Sequence, residues 1–387
     1  MKGSKKQLGK RDEAVRLMLE LLQSEKYKPG VRIPPESELV KLFGCCRSTV
    51  REAISLLVND GRLYRIRGSG TYIAPYKKRQ ITIAGILPDL CNERYGRFGL
   101  DIMPPIVTGM VAEARKHGVN ILLYGCGSDD KDIERENIRN AIERGVDGAV
   151  ILYIGAKYNL DCLEEFDKAD IPLVLVDRYV ENFDSDYVVT DNYSGIYDAV
   201  NAISQMGVEN IYYVTTSASV SSAKDRMLGY TTAINSLGLP CNIMISHIDK
   251  IVSELIMSGT VDRESSEYIC FRKTIEGMRL PAALLSVNPM SNAFVYEVLE
   301  DLKIPSDQVI LGHFDSNQPT RIVDRCYFEV DQPFTEMGKR AIQIVMSRME
   351  GVKERQKVVL KPKLTIHNLS CFTAGINSNV EALSVNP

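Results

Sequence analysis

The sequence lacks most of the features from which an enzyme, a metal protein or a membrane protein is built. No apolar run reaches the roughly 18 residues that a membrane span requires. The nine cysteines are odd in number and include no C-x-x-C pair, so we expect free thiols in a reducing compartment. Histidine occurs only at positions 117, 247, 313 and 367, without metal-binding or triad spacing. We therefore expect no catalysis, metal, cofactor or membrane partner.

The charge is divided unevenly along the chain. Residues 1–80 hold 18 Lys and Arg against 8 Asp and Glu, whereas the other 307 residues hold 29 against 42. A small basic module joined to a large acidic one is typical of a nucleic-acid-binding head on a body that does not touch nucleic acid. The first residues, MKGSKKQLGKRDEAV, are basic without a following apolar run, so we expect a cytoplasmic protein.

The first 75 residues have the pattern of three helices and a hairpin. Helices are predicted over about residues 12–24, from Pro35 to Gly44, and over about 47–59. In the third helix four apolar residues recur at i, i+3, i+4 and i+7, which leaves Arg47, Ser48 and Arg51 on the exposed face. The run RLYRIRGSGTYIA predicts a hairpin with glycines at its tip. This arrangement describes a winged helix-turn-helix, whose third helix can enter the major groove of DNA.

The run IPPESELVKLFGCCRSTVREAISLLVNDGRLYRIRGSGTYIA resembles the DNA-binding domain of GntR-type bacterial regulators over about residues 10–75. The resemblance implies operator DNA as a partner and a set of contacts from the second helix, the third helix and the wing: Ser37, Arg47, Ser48, Thr49, Arg51, Arg65, Arg67, Gly68, Ser69 and Gly70. Ser37 stands where that family often has a DNA-contacting arginine, so it offers at most a weaker hydroxyl contact.

Two adjacent cysteines precede the third helix. Beside the GntR-type pattern, Cys45 is interpreted as a small packing residue and Cys46 as the residue that caps the helix, a role in which sulfur performs poorly. A redox switch on operator binding is the alternative that this pair leaves open.

The remainder of the chain alternates apolar strands with helical segments, which predicts an α/β fold with parallel sheets. We expect a head over residues 1–75, a linker over 76–80, a two-lobed domain over 81–375 and a flexible tail over 376–387. Ligands on such sheets bind beyond the carboxyl ends of the strands, so the polar residues at those ends are the candidate site.

Segments such as IPLVLVDR, KDRMLGYTTAI and FEVDQPFTEMGKRAIQIVMSRMEG are similar to the effector domains of LacI/GalR-type repressors and to periplasmic sugar-binding proteins, over about residues 81–372. The resemblance implies two Rossmann-like lobes joined by three crossovers, placed after Asp191, near 312–319 and near 330–334. It also implies sugar contacts from both lobes: Phe98, Asp177, Arg178, Asp191, Arg226, Asn288, Asp315 and Gln332.

One motif departs from that pattern. Where the family has Gly-aromatic-Asp, this chain has Gly312-His313-Phe314-Asp315, so either Asp315 reaches the site through a one-residue shift or Phe314 replaces a polar contact. The combined prediction is a homodimeric transcriptional regulator, a repressor, whose operator binding a small effector controls, most simply a monosaccharide. The alternative is a DNA-binding protein whose body only dimerises.

Overall fold

The computed structural model describes residues 10–22, 24, 27–74, 80–88, 102–127, 130–155, 159–215, 220–245, 261–315 and 325–372. By its internal contacts the chain divides into two units, Met1–Gln80 and Ile81–Pro387. Among the described residues, no helix combines the length and apolar character needed to cross a membrane.

The first unit contains three helices and a two-stranded hairpin: α1 Lys10–Leu22, α2 Glu36–Phe43, α3 Arg47–Asn59, β1 Leu63–Ile66 and β2 Gly70–Ile73. Gly44 ends α2 in a left-handed conformation, with φ of 63°. The four apolar residues of α3 are buried against the other elements, as their spacing predicted: Val50, Ala53, Ile54 and Leu57. This is a winged helix-turn-helix.

The first lobe of the second unit is a six-stranded parallel sheet with helices on both faces. Its strands are β3 Thr82–Pro88, β4 Asn120–Cys126, β5 Gly148–Ile151, β6 Leu173–Val176, β7 Asp186–Thr190 and β13 Lys357–Leu360, in the order β4-β3-β5-β6-β7-β13. Its helices are α4 Met103–His117, α5 Lys131–Glu143, α6 Leu160–Lys168 and α11 Phe334–Met349.

The second lobe repeats this plan, with one antiparallel strand at its edge. Its strands are β8 Asn210–Thr215, β9 Asn242–Ile245, β10 Ala282–Ser286, β11 Val309–Phe314, β12 Tyr327–Asp331 and β14 Lys363–His367, in the order β14-β12-β11-β10-β8-β9. Its helices are α7 Asn192–Gln205, α8 Ser221–Leu237, α9 Ser266–Glu276 and α10 Pro289–Asp301.

The chain passes between the lobes three times, and one predicted position was wrong. The first crossover follows β7 at Asp191, as predicted. The segment near 312–319 is not a crossover, because β11 and β12 pair in parallel within one sheet. The second crossover instead follows β12 at residues 332–333, the place predicted for the third. The third crossover is Lys361-Pro362, which joins β13 to β14 and was not predicted.

Candidate functional sites

In the first unit, the exposed front of α3 carries most of the side chains predicted to contact DNA. The side chains of Arg47 and Arg51 are 71% and 58% exposed, and Ser48 is exposed beside them. Thr49 is half-buried on the same turn, and Ser37 is exposed on α2. Because the apolar face of α3 is buried, its hydrogen-bond donors face outward, as entry into a major groove requires.

A carboxylate of α2 holds the two arginines of α3. Arg47 donates from Nε to Glu36 Oε2 at 3.0 Å. Arg51 donates from Nε to Oε1 at 3.3 Å and from Nη2 to Oε2 at 3.1 Å. The hydrogen bonds from Arg51 and Arg47 lower the pKa of Glu36 below its ordinary value. The terminal nitrogens of Arg47 lie outside this contact, so its guanidinium can still donate two bonds to one guanine edge.

The wing is built as the sequence predicted. Gly68 and Gly70 have φ of 78° and 142°, conformations that glycine adopts without strain. Ser69 Oγ and Tyr72 OH are 2.5 Å apart, and this contact fixes the tip. Arg67 is exposed. Arg65 is exposed as well, and its Nη2 donates to Ser55 Oγ of α3 at 3.2 Å, so the wing is tied to the third helix.

A hollow of about 470 Å³ lies along the exposed face of α3. Six of its seven lining residues are polar, and the lining reaches α1: Arg11, Ser48, Arg51, Glu52, Ser55, Leu56 and Asn59. Four of these polar side chains are not among the predicted contacts: Arg11, Glu52, Ser55 and Asn59. Ser55 and Asn59 continue the row that begins with Arg51 at i+4 spacing, so helical periodicity could have found them.

The two adjacent cysteines have the packing and capping positions predicted for them. Cys45 is half-buried against the core, and burial raises the pKa of its thiol. Cys46 is the N-cap residue of α3 but makes no capping hydrogen bond to the backbone. Its sulfur instead lies 3.1 Å from Ser48 Oγ and 3.0 Å from Thr49 Oγ1, contacts that lower its pKa to about 7.

In the second unit, polar residues gather where strands of the first lobe end. Asp177 directly follows β6 in a left-handed conformation, with φ of 68°, and is only 4% exposed. Arg178 donates to Asp177 Oδ2 from Nε at 3.0 Å and from Nη2 at 2.9 Å. The first lobe therefore presents a paired carboxylate and guanidinium at the edge of its sheet.

The second lobe contributes Arg226, a buried cation of α8. It is 6% exposed, and it donates from Nε to Asn192 Oδ1 at 2.7 Å and from Nη1 to the carbonyl oxygen of Val287 at 2.6 Å. Its guanidinium carbon lies 3.9 Å from the centre of the Phe314 ring. Asn192 begins α7, directly after the first crossover. It lies 34 residues before Arg226, so no local sequence pattern predicted their hydrogen bond.

Asp315 and Gln332 join the same site. Asp315 follows β11 with φ of 73°, and its Oδ1 accepts a hydrogen bond from Gln332 Nε2. Burial raises the pKa of Asp315, the positive charge of Arg226 opposes that shift, and the negative charge of Asp177 adds to it. Residues from both lobes and from the second crossover thus act on one carboxyl group. Phe314, the other candidate at this motif, is fully buried.

The remaining predicted contacts have different positions. Asn288 caps α10, where its Oδ1 accepts from Ser291 N at 2.9 Å, and Asp191 caps α7 in the same way through Ser194 N at 2.9 Å. Phe98 lies outside the described residues. The oxygen atoms Thr190 Oγ1 and Gln332 Oε1 are buried without a hydrogen-bond partner among the residues that the structure describes. They are acceptors that a ligand hydroxyl could satisfy.

The two lobes touch beside this site. Tyr179, from the segment after β6, donates from its backbone N to Ser221 Oγ at 2.9 Å and from its hydroxyl to Asp225 Oδ1 at 3.3 Å. Glu181 and Lys224 form an ion pair at 2.8 Å. These contacts bring α8, which carries Arg226, against the loop that carries Asp177. The two lobes therefore approach each other beside the carboxylate, guanidinium and amide groups of the site.

Comparison with protein families identifies the class of both units. Residues 10–73 match the family described as bacterial regulatory proteins, gntR family. Residues 103–253 match periplasmic binding proteins and the sugar binding domain of the LacI family, and residues 200–368 match a periplasmic binding protein-like domain. The chain is therefore a DNA-binding transcriptional regulator that joins a GntR-type head to a LacI-type effector domain. It is not an enzyme, in agreement with the expectation from its sequence.

Relatives with the same two-part organisation span almost the whole chain. The chain is 24% identical over 365 residues to an arabinose metabolism transcriptional repressor of Geobacillus stearothermophilus, covering 91% of this chain and 94% of the relative. It is 21% identical over 360 residues to the protein of that name in Halalkalibacterium halodurans, covering 88% and 91%. A LacI family regulator of Enterococcus faecium solved with bound ribose has a TM-score of 0.53 and 18% identity, covering 73% of this chain and 96% of that one.

Proposed function

We propose that the chain is a cytoplasmic repressor whose operator binding is controlled by a monosaccharide held between the two lobes. One observation carries this proposal: Asp177 of the first lobe, Arg226 of the second and Gln332 of the second crossover all act on the carboxyl group of Asp315. Each sugar hydroxyl both donates and accepts, and planar carboxylate, amide and guanidinium groups can meet neighbouring hydroxyls in pairs. The relatives named for arabinose metabolism and the ribose-bound neighbour support a pentose.

The role of each residue follows from its position. Asp177 and Arg178 would bind hydroxyls from the first lobe, Arg226 and Asp315 from the second, and Gln332 from the second crossover. Asp191 and Asn288 use their side-chain oxygens as helix caps, so we propose that they shape the cleft and offer at most their remaining polar atoms. Phe98 stays a proposed stacking residue on the strength of the sequence alone.

A thermal-shift panel of arabinose, ribose, xylose, glucose and galactose tests this proposal. A sugar that binds only the folded protein should add about 2.7 kcal/mol to the free energy of unfolding at a hundredfold excess over its dissociation constant. Arg226→Ala should abolish the shift, whereas Arg272→Ala, which removes an exposed arginine of the same lobe, should retain it. A panel without any stabilising sugar would leave only the dimerising role for the body.

We propose that the head contacts DNA bases through Arg47, Ser48 and Arg51. Thr49, Ser37 and the wing residues bind the phosphate backbone of the DNA. Glycines at the wing tip allow close approach to a phosphate backbone because no Cβ intervenes. Arg47→Ala should lose sequence-specific binding in an electrophoretic mobility assay and keep sugar binding. Lys41→Ala, an exposed cation in the last turn of α2, serves as the matched control.

We propose that the protein acts as a homodimer formed along two equivalent edges. In the first lobe, Val111 of α4 and Leu123 of β4 are 48% and 42% exposed. In the second lobe, Leu237 of α8 and Ile243 of β9 are 37% and 36% exposed. Both pairs lie beside the strand that ends its described sheet. Leu123→Glu should shift the sedimentation coefficient from dimer to monomer, whereas Ile133→Glu, at an exposed position on α5, should not.

A further inference from the structure

Phe314 occupies a position between the effector cleft and the crossovers. One face of its ring carries the guanidinium of Arg226, with the guanidinium carbon 3.9 Å from the ring centre. The tip of the ring packs against α7, because a methyl group built on Gly195 would approach Phe314 Cζ to 2.9 Å. The same methyl would approach Val330 of β12 to 3.0 Å and Pro362 of the third crossover to 3.1 Å. The ring therefore touches both the cation of the site and α7, the helix that follows the first crossover.

Arg226 needs such a support to keep one orientation. Its bonds to Asn192 and to the Val287 carbonyl fix the guanidinium within its own plane, and they leave Nη2 without a hydrogen bond among the described residues. The ring face beneath the guanidinium fixes the tilt of that plane. Two bonds and one ring face together aim the remaining nitrogen, which is the one available to a ligand.

We infer that Phe314 is a positioning residue that aims Arg226. Its ring lies between the guanidinium of Arg226 on one face and Gly195 of α7 at its tip, so a shift of the ring would tilt the guanidinium. The effect of Phe314 on effector affinity rests on the proposed function, because Phe314 would act through Arg226. The contact by which Phe314 holds Arg226 does not depend on the proposed function.

Chemical labelling of Arg226 tests this hold without any knowledge of the effector. The full-length protein is treated with phenylglyoxal, which modifies accessible guanidinium groups, and the rate at each arginine is read by peptide mass spectrometry. In Phe314→Leu, Arg226 should be labelled roughly tenfold faster, because leucine fills the space but offers no ring face to the cation. Arg325 serves as the internal control: its side chain is 2% exposed, and Glu300 and the carbonyl oxygens of residues 304 and 305 hold it.

The labelling rates at Arg226 and Arg325 distinguish a positioning role of Phe314 from a general role in the core. Faster labelling of Arg226 with an unchanged rate at Arg325 supports it. An unchanged rate at Arg226, or an equal rise at both arginines, overturns it, because Phe314 would then be a core residue whose loss loosens the lobe generally.

Gly195→Ala provides a second test if Phe314→Leu does not fold. It leaves the ring in place but pushes its tip, so Arg226 should again be labelled faster, whereas Gly277→Ala, at a site where the nearest atom is 3.6 Å from the added carbon, should match wild type. Unchanged labelling of Arg226 in Gly195→Ala would overturn the inference that the position of the ring sets the orientation of Arg226. If no sugar of the panel binds, the proposed function fails while the labelling result stands.

Discussion

The carboxylate of Glu36 shows how a residue that need not touch DNA can govern the residues that do. It accepts hydrogen bonds from both Arg47 and Arg51, side chains that are otherwise mostly exposed. Long cationic side chains lose much rotamer freedom when they bind a base, so an arginine that is held in advance loses less. The hydrogen bonds of Glu36 to Arg47 and Arg51, here called the clamp, therefore favour sequence-specific contact with bases over general attraction to phosphate.

We expect Glu36→Gln to weaken binding to the tightest duplex selected from a random pool by about tenfold, or ~1.4 kcal/mol. The free energy of unfolding should change by less than about 1 kcal/mol, because ion pairs this exposed contribute little to stability. Fluorescence anisotropy at fixed salt concentration and chemical denaturation measure the two quantities. Glu38→Gln, in the same turn of α2, is the control; equal affinities for all three proteins would contradict the clamp.

Residues differ in how far the sequence could predict them. Arg47, Ser48 and Arg51 followed from the spacing of buried residues in α3, because local periodicity fixes which side of a helix faces outward. Glu36 was missed as a partner because it lies on another helix. Asn192 was missed for the same reason, since its bond to Arg226 spans 34 residues. Contacts between elements depend on packing that no local pattern encodes.

At the scale of elements, α4 and α11 approach each other closely through two glycines. A methyl group on Gly109 would overlap the carbonyl oxygen of Thr335, and one on Gly338 would overlap that of Ile106. These contacts hold α11, which follows the second crossover, against α4 of the first lobe. The backbone-to-backbone approach leaves no flexible side chain that could move aside.

We therefore expect Gly338→Ala to lower the free energy of unfolding by about 2–3 kcal/mol through overpacking, despite the better helix propensity of alanine. Urea denaturation measures this change. Gly277→Ala, where the added carbon meets only ordinary contacts, should stay within about 1 kcal/mol of wild type. A neutral Gly338→Ala would show that the two helices can separate without cost.

Glu113 links the same two helices and makes part of the stability depend on pH. Lys116 and Gln343 hold its carboxylate and lower its pKa from 4.5 to about 2. Because the folded-state pKa is depressed, the ionised group stabilises the fold above about pH 4.5, and this contribution is lost as the pH falls toward 2. The stability difference between wild type and Glu113→Gln should therefore shrink from pH 4.5 to 3.

Denaturation curves at each pH give that difference directly. A difference that stays the same down to pH 3 would contradict the depressed pKa. Glu336→Gln, which removes a more exposed carboxylate of α11, controls for general effects of charge.

The positions of strands and helices were predictable, but the crossovers between lobes were only partly so. Strand and helix patterns are local, and the segments predicted over residues 12–24 and 47–59 fall within two residues of α1 and α3. The segment after β11 was mistaken for a crossover because its sequence does not reveal that β12 extends the same sheet. Sheet order is set by pairing across the whole lobe.

At the scale of the whole molecule, the uneven charge now has a structural basis. The net positive charge belongs to the winged helix-turn-helix unit, and the net negative charge belongs to the two-lobed unit. This division keeps the attraction to DNA within the head and leaves the body to bind a neutral ligand. A ligand can change operator affinity only as far as it prefers one state of the protein over the other.

The most direct measurement is the affinity of the protein for its selected operator duplex, with and without the sugar that stabilises it most. The account predicts that this sugar weakens binding by about tenfold or more, within the usual range of allosteric coupling. Arg226→Ala should bind the operator as wild type does but should not respond to the sugar. If Arg226→Ala still responds, or if no sugar changes the affinity of the wild-type protein, the account of a sugar-controlled regulator is contradicted.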